Sequence, residues 1–405
     1  MLDDYRWLVS EAAEPWLAIA REENLVPALI WRLRRDLFAE RAHLVIEQIE
    51  LRQRAREKFT LADKMFFTRK GLEQATDERL ATYKASRFAT GETIADLCCG
   101  IGGDLVSLAR RGVAHGVDRD PALAILAAVN ASIHGLEESQ YSIAAADALK
   151  FPIIGGAWHC DPDRRSEGRR ATRGELFEPS LEALFGLLEQ NNNAAIKLAP
   201  ATEAPAQWRD SAELEWLGSR GECRQQVAWF GSLARHPGLR SATVVDSGGT
   251  TRTVIGDANG AMIPATKLGR YIFEPHAAVL AAKLTAVLCR EHGLAPVSAG
   301  IAYLTGDQPI EDPVLTVFEV RELLPFDRKQ LRAYCRQNCL GRLEIKKRGV
   351  DFDPERLRKE IAGDGDNEAT MIVTPVAGQV RAIVSQRVIA SKARQSHPPM
   401  FAADQ

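Results

Sequence analysis

The chain of 405 residues lacks several things that would each have pointed to a class of function. It has no apolar run near the roughly 18 residues that a spanning helix needs, so no segment is expected to cross a membrane. Its first residues, MLDDYRWLVS, are acidic and show no basic start followed by an apolar stretch, so no secretion signal is read there. No C-x-x-C pair occurs among its seven Cys and no H-x-x-x-H pair among its eight His, so no metal site is expected. An odd number of dispersed Cys fits free thiols in a reducing cytoplasm. An excess of either charge is also missing, since 52 Lys and Arg face 54 Asp and Glu, a formal net charge of −2. That excludes a polybasic nucleic-acid binder of the histone kind and leaves local basic faces open.

What is present is an ordinary globular composition, 45% hydrophobic and 26% charged, long enough for two or three domains. Residues 1–90 read as an N-terminal helical domain, with apolar residues at helical spacing through Trp7, Leu8, Trp16 and Leu17 and again through Leu25, Leu29, Leu33 and Leu37. From 91 the grammar changes to short apolar strands alternating with helices. Thr93–Leu97, Val113–Val117, Tyr141–Ala145 and Ala194–Leu198 are expected strands, and Asp120-Pro121 is a helix start. Such alternation implies a parallel sheet covered on both faces, an α/β domain over 91–257. Residues 258–314 read as a connecting segment with one long helix from about Pro275 to His292. Residues 315–390 read as a small α+β domain of strand, helix, basic strand, helix and two strands, and 391–405 as a disordered tail.

The strongest signal is Asp96-Leu-Cys-Cys-Gly-Ile-Gly-Gly-Asp104, which ends a strand and opens a helix. Ligands of open α/β sheets bind outside such junctions, and Gly100 and Gly102 let backbone beside Cys98 come close to one. A dinucleotide fingerprint starting at Gly100 needs Gly where Leu105 stands, and the G-K-[ST] of a phosphate loop is absent. Asp96 suits a ligand with a cationic group, such as the ammonium and sulfonium of S-adenosylmethionine. Asp118 ends the second strand, where a carboxylate can accept from two ribose hydroxyls. Asp147 follows the third, where it could take an adenine amino group. Three acids at successive strand ends point to S-adenosylmethionine, with another nucleotide or a purely structural turn as alternatives.

On these residues the chain resembles class I S-adenosylmethionine-dependent methyltransferases over about residues 60–255. The D-L-x-C-G-x-G form of the turn is similar to that of RNA-directed members, including the cap trimethylguanosine synthases. The resemblance implies a Rossmann-like, mainly parallel sheet. It also implies that the helical segment carrying Gln74 and Thr76 touches the cofactor, with Arg87 closing the same side. The end of the chain, Leu324-Pro-Phe-Asp327 through Leu343–Val350, is similar to the THUMP-like domain of bacterial methyltransferases. Cys160-Asp-Pro-Asp-Arg-Arg165 stands where amino-group methyltransferases carry Asp/Asn-Pro-Pro-aromatic. Asp161 and Pro162 match and would orient the methyl acceptor. Asp163 and Arg164 depart from that pattern, so Arg164 would have to replace the stacking ring.

The run Arg164–Arg173 holds five Arg and one Glu, and Arg164, Arg165, Arg169 and Arg170 form a candidate clamp for RNA phosphates. The plain alternative is a solvated loop. Trp158 and Trp229 lie in apolar strands and read as core. The expected function is methyl transfer from S-adenosylmethionine to rRNA or tRNA in the cytoplasm. The competing readings are a non-catalytic RNA-binding protein that retains the fold, and a small-molecule or protein methyltransferase.

Overall fold

The computed structural model describes residues 2–22, 27–153, 155–163, 165, 166, 169, 170, 177–258 and 260–388. Arg164 and the expected tail at 391–405 lie outside the described residues. The chain divides into two compact units, Met1–Asp257 and Ala258–Gln405.

The first unit begins with helices α1 (Leu2–Leu8), α2 (Glu14–Glu22), α3 (Pro27–Asp36), α4 (Ala39–Ala55), α5 (Arg69–Gln74) and α6 (Glu78–Ala85). Strand β1 (Thr93–Leu97) follows, then α7 (Leu105–Ala109), β2 (Val113–Asp118), α8 (Pro121–Ile133), β3 (Tyr141–Ala145) and β4 (Ala157–Cys160). A small hairpin, β5 (Arg165–Ser166) and β6 (Arg169–Arg170), precedes α9 (Ala183–Gln190) and β7 (Ala194–Leu198). Strands β8 (Glu213–Ser219), β9 (Glu222–Trp229), β10 (Arg240–Val245) and β11 (Thr251–Gly256) complete the unit.

Nine of these strands form one sheet in the order β11-β10-β8-β9-β7-β4-β1-β2-β3. The run β7-β4-β1-β2-β3 is parallel, and β9 enters antiparallel between β8 and β7. This is the Rossmann-like α/β arrangement expected from the strand grammar. Its carboxyl ends at β1, β2, β3 and β4 lie side by side because parallel pairing sets Asp96 beside Gly116 and His159, and Asp118 beside Ala145.

The helices before β1 form no separate unit. Leu8, Leu29, Leu33, Val45, Leu51 and Phe67 are buried in one cluster with Ile101 of the glycine turn and Leu126 of α8. A buried Asn130 on α8 stitches the two parts, accepting from Phe66 N at 2.8 Å and donating to the carbonyls of Phe66 and Ile101, each at 3.0 Å. An unmade buried polar bond costs about 1–3 kcal/mol, so this contact pins the segment before α5 to the turn. The expected N-cap holds: Asp120 Oδ1 accepts from Ala122 N at 2.9 Å, with Pro121 in the first turn.

The second unit contains β12 (Tyr271–Pro275), α10 (Ala277–Ala282), α11 (Thr285–His292), β13 (Ala295–Pro296) and β14 (Leu304–Gly306). It continues with β15 (Leu315–Pro325), α12 (Arg328–Gln337), β16 (Leu340–Lys347), α13 (Pro354–Ile361), β17 (Asn367–Val376) and β18 (Gln379–Arg387). Its seven strands run β13-β14-β12-β15-β18-β17-β16, antiparallel except for β16 beside β17. Helices α12 and α13 cover one face through Leu331, Cys335, Leu357 and Ile361.

Two expectations about 258–314 change. The segment is not a helical connection but supplies β12, β13 and β14 to the same sheet as 315–387; YIFEP is a short apolar run whose periodicity does not separate strand from helix. The long helix breaks at Lys283, which is left-handed (φ 61°). Lys283 N donates to Leu280 O at 3.1 Å and Leu284 N to Val279 O at 3.0 Å, a Schellman stop anchored by the fully buried Leu284. The usual glycine signal is absent there, so burial of Leu284 decides the break.

Candidate cofactor and methyl-transfer site

Strand β1 delivers the chain into a turn that needs unusual backbone. Cys98 (φ 61°), Gly100 (φ 57°) and Gly102 (φ 85°) are all left-handed, and Cys99 N is tied to Val117 O at 2.9 Å. The turn faces a cleft of about 760 Å³ at the carboxyl ends of the parallel strands. Gln74, Thr76, Asp96, Cys98, Gly100, Asp118, Asp147, Asp161 and Pro162 all line it. Sequence reasoning therefore brings together residues spread over 89 positions of chain.

Gly102 is the expected cofactor residue with a different place. It is absent from the cleft lining; a Cβ there would meet the Ala127 backbone of α8 at 3.4 Å, an ordinary contact, so the left-handed φ of 85° is what calls for glycine. Gly100 has open space where its Cβ would be. Arg87, expected to close the site, instead forms a buried ion pair with Glu213 at 2.6 Å and stacks over Trp229. Trp158 and Trp229 are core. Arg165, Arg169 and Arg170 belong to the β5–β6 hairpin, whose register sets Arg165 opposite Arg170.

The carboxylates differ in how they are held. Asp118 accepts from Gly100 N and Asp120 N, each at 2.9 Å, which orients both oxygens and leaves lone pairs for further donors. Burial pushes its carboxyl up, against the pull of those two amides. Asp147 is half-exposed and accepts from Leu149 N at 3.0 Å. Asp96 is buried, with Oδ1 2.7 Å from His159 Nδ1, while its Oδ2 is buried and has no partner. A buried carboxylate oxygen without a donor is costly, and a cationic ligand group entering the cleft would supply one.

At the other end of the cleft Asp161 Oδ2 lies 2.5 Å from the Lys197 ammonium, which also donates to Gln74 O at 3.0 Å. Asp163 replaces the proline of the amino-group pattern and has a mechanical role. Its carboxylate is bound by Lys70 Nζ at 2.5 Å and by Gln74 Nε2 at 2.7 Å. Helix α5 and the Asp161-Pro-Asp163 turn are thus clamped together, with one N–H of the Gln74 amide given to Asp163 while Gln74 lines the cleft. The Thr76 hydroxyl likewise donates to Asp104 Oδ2 at 2.7 Å.

Lys84, Asp104, His159 and Lys197 were not singled out from the sequence. His159 stands between Trp158 and Cys160 in an apolar strand, where a polar residue is itself a signal of a partnered site. The buried thiols of Cys99 and Cys160 are poor nucleophiles. Burial pushes the Cys99 thiol well up, and hydrogen bonding to Cys98 together with burial does the same for Cys160.

The chain is 31% identical over 351 residues to an uncharacterized S-adenosylmethionine-dependent methyltransferase of Mycobacterium tuberculosis, in strains H37Rv and CDC 1551. The match covers 84% of this chain and 95% of that one. The chain belongs to the S-adenosylmethionine-dependent methyltransferases. Residues 315–387 of this methyltransferase match the THUMP domain-like family. Its fold is that of a protein from Porphyromonas gingivalis W83 assigned as a methyltransferase, with a TM-score of 0.78 at 19% identity over 95% of this chain and 97% of that one. The cofactor is S-adenosylmethionine, whose sulfonium supplies an already activated methyl group. The unpartnered Asp96 oxygen, the open space at Gly100 and the oriented Asp118 carboxylate fit such a molecule. No helix among the described residues is long and apolar enough to cross a membrane.

Proposed function

We propose that this methyltransferase acts on RNA, on a base of rRNA or tRNA in the cytoplasm. The observation that carries the reading is the order of parts after β4. The Asp161-Pro162 turn lines the acceptor end of the cleft, and the arginine-bearing β5–β6 hairpin follows it at once. Guanidinium groups bind phosphates in bidentate fashion, so the arginines that follow this turn in the sequence, Arg164, Arg165, Arg169 and Arg170, are of the residue type suited to the backbone of a nucleic acid. The THUMP-like segment supports the same substrate class.

In this reading Asp96 receives the ammonium of the cofactor, Cys98 and Gly100 give backbone approach, Asp118 takes the ribose hydroxyls and Asp147 the adenine amino group. Asp161 accepts a hydrogen bond from the acceptor amine and aligns its lone pair with the S–CH₃ bond. Alignment of two reactants is worth up to about 7–11 kcal/mol, so no strong base is needed for an amine. The test is transfer of tritiated methyl groups to total RNA from cells lacking the gene. Wild type should label RNA and Asp161→Ala should not. Label appearing in protein or metabolites instead would replace RNA as the substrate class.

A further inference from the structure

Along the wall of the cleft runs a chain of buried polar groups of which the function above uses only Asp96. Strands β1 and β4 pair so that Asp96 and His159 are direct neighbours, and His159 Nδ1 meets Asp96 Oδ1 at 2.7 Å. The other ring nitrogen, Nε2, lies 3.1 Å from Lys84 Nζ. That ammonium also meets Asp104 Oδ1 at 2.7 Å and Thr76 Oγ1 at 3.4 Å, so its three N–H groups have three partners. Lys84 and His159 are each 1% exposed, so water does not compete for these bonds.

The direction of each bond follows from the inventory of donors. Thr76 spends its proton on Asp104 Oδ2, so its oxygen can accept from Lys84. An ammonium donates and never accepts, so His159 Nε2 must be the acceptor in its contact with Lys84. The imidazole is therefore neutral with its proton on Nδ1, and that proton goes to Asp96 Oδ1. A protonated ring would set a second N–H against the ammonium at 3.1 Å. Against burial, the Lys84 charge at 2.7 Å holds the Asp104 carboxyl below its usual range, while burial draws the Lys84 ammonium down against the pull of Asp104, so the two stand as a buried ion pair. Burial pushes the Asp96 carboxyl up, and its Oδ2 has no donor beside the cleft, so a cationic group arriving there would supply the missing donor and favour the ionised form.

We propose that His159, held in its Nδ1–H form by Lys84, is the positioning residue that aims Asp96 Oδ2 at the ammonium of S-adenosylmethionine. The inference rests on the reading of Asp96 as the ammonium acceptor. His159 then governs recognition of the amino-acid end of the cofactor and leaves the nucleoside end to Asp118 and Asp147. A merely structural histidine would support both ends alike.

Two ligands separate these roles. S-adenosylhomocysteine carries the amino-acid end, and 5′-methylthioadenosine has the same nucleoside without it. Titration calorimetry on the full chain compares wild type, His159→Leu, His159→Asn and Lys84→Met. His159→Leu should lose about 10- to 100-fold in affinity for S-adenosylhomocysteine, the range for a hydrogen bond to a charged group, and less than threefold for methylthioadenosine. His159→Asn keeps an N–H that can reach Asp96 and should regain most of the loss, while Lys84→Met should fall between. Equal losses for both ligands, or none for S-adenosylhomocysteine, overturn the proposal. Wild type binding both ligands equally well removes the Asp96 assignment itself. Imidazole ¹⁵N shifts of wild type need no variant: a proton on Nδ1 with Nε2 bare supports the proposal, and the reverse form or a charged ring overturns it.

Discussion

Lys197 Nζ sits 2.5 Å from Asp161 Oδ2, which lines the cleft, and its side chain is only 4% exposed. The strand β7 that carries Lys197 runs parallel beside β4, with Ile196 opposite Cys160, so the cation reaches the turn after β4 from the neighbouring strand. The pair holds one oxygen of Asp161, and the other is the one proposed to accept from the methyl acceptor. It also ties the turn to α5, since the same ammonium donates to Gln74 O.

Replacing Lys197 by Met should therefore lower methyl transfer more than cofactor binding. Removing one partner of a largely buried pair leaves a carboxylate without its cation, at a cost of about 3–5 kcal/mol where burial is complete. Asp161 is 20% exposed, which softens that cost. We expect kcat on RNA to fall about 10²-fold and the affinity for S-adenosylhomocysteine to change less than threefold. Parallel single-turnover and calorimetric measurements check this, and loss of both properties together would contradict the division of the cleft.

The two left-handed glycines of the turn should separate stability from binding. Gly102→Val forces a branched side chain against the Ala127 backbone at a φ of 85°, and should cost about 2–3 kcal/mol in urea unfolding. Gly100→Ala has room for its methyl and pays only for the left-handed backbone, about 1–2 kcal/mol. Gly100 lines the cleft and Gly102 does not, so the larger loss of cofactor affinity belongs to Gly100→Ala. An inverted order of the two affinities would contradict the placement of Gly102.

Lys58 offers a test by pH. Its ammonium caps the end of α5, donating to the carbonyls of Leu72 at 2.7 Å, Glu73 at 3.2 Å and Ala75 at 2.8 Å. Burial first, and the charge of Lys197 second, pull its pKa down to about 8. Between that value and the ordinary 10.5, the unfolded chain holds a proton at this site that the folded chain has lost. Stability relative to Lys58→Met should thus rise as pH goes from 8 to 10.5, and the Lys58 contribution should be flat below 8. Urea unfolding of both proteins across that range measures the difference. A difference that shrinks with rising pH would mean the lysine stays protonated in the fold.

Much of this protein is written in short-range pattern. Alternating apolar strands and helices from Thr93 to Leu198 announce the parallel sheet, and Asp120-Pro121 marks a helix start because the cap is a local hydrogen bond. The acids Asp96, Asp118 and Asp147 could be picked out because strand ends in parallel sheets share one edge. Reading failed where local pattern is ambiguous. The strand Tyr271–Pro275 looks like any short apolar run, and the helix break at Lys283 depends on burying Leu284.

Partnership is a different matter from position. Local sequence could place His159 on a strand and Lys84 on a helix, 75 residues apart, because periodicity is a property of neighbouring residues. Only the folded chain could decide that Lys84 completes His159, that Lys197 holds Asp161, or that Gly102 faces α8 while Gly100 faces the cleft. Such choices depend on which buried donors and acceptors meet across elements distant in the chain, and a hydrogen bond is set by ångströms in space, not by spacing in sequence.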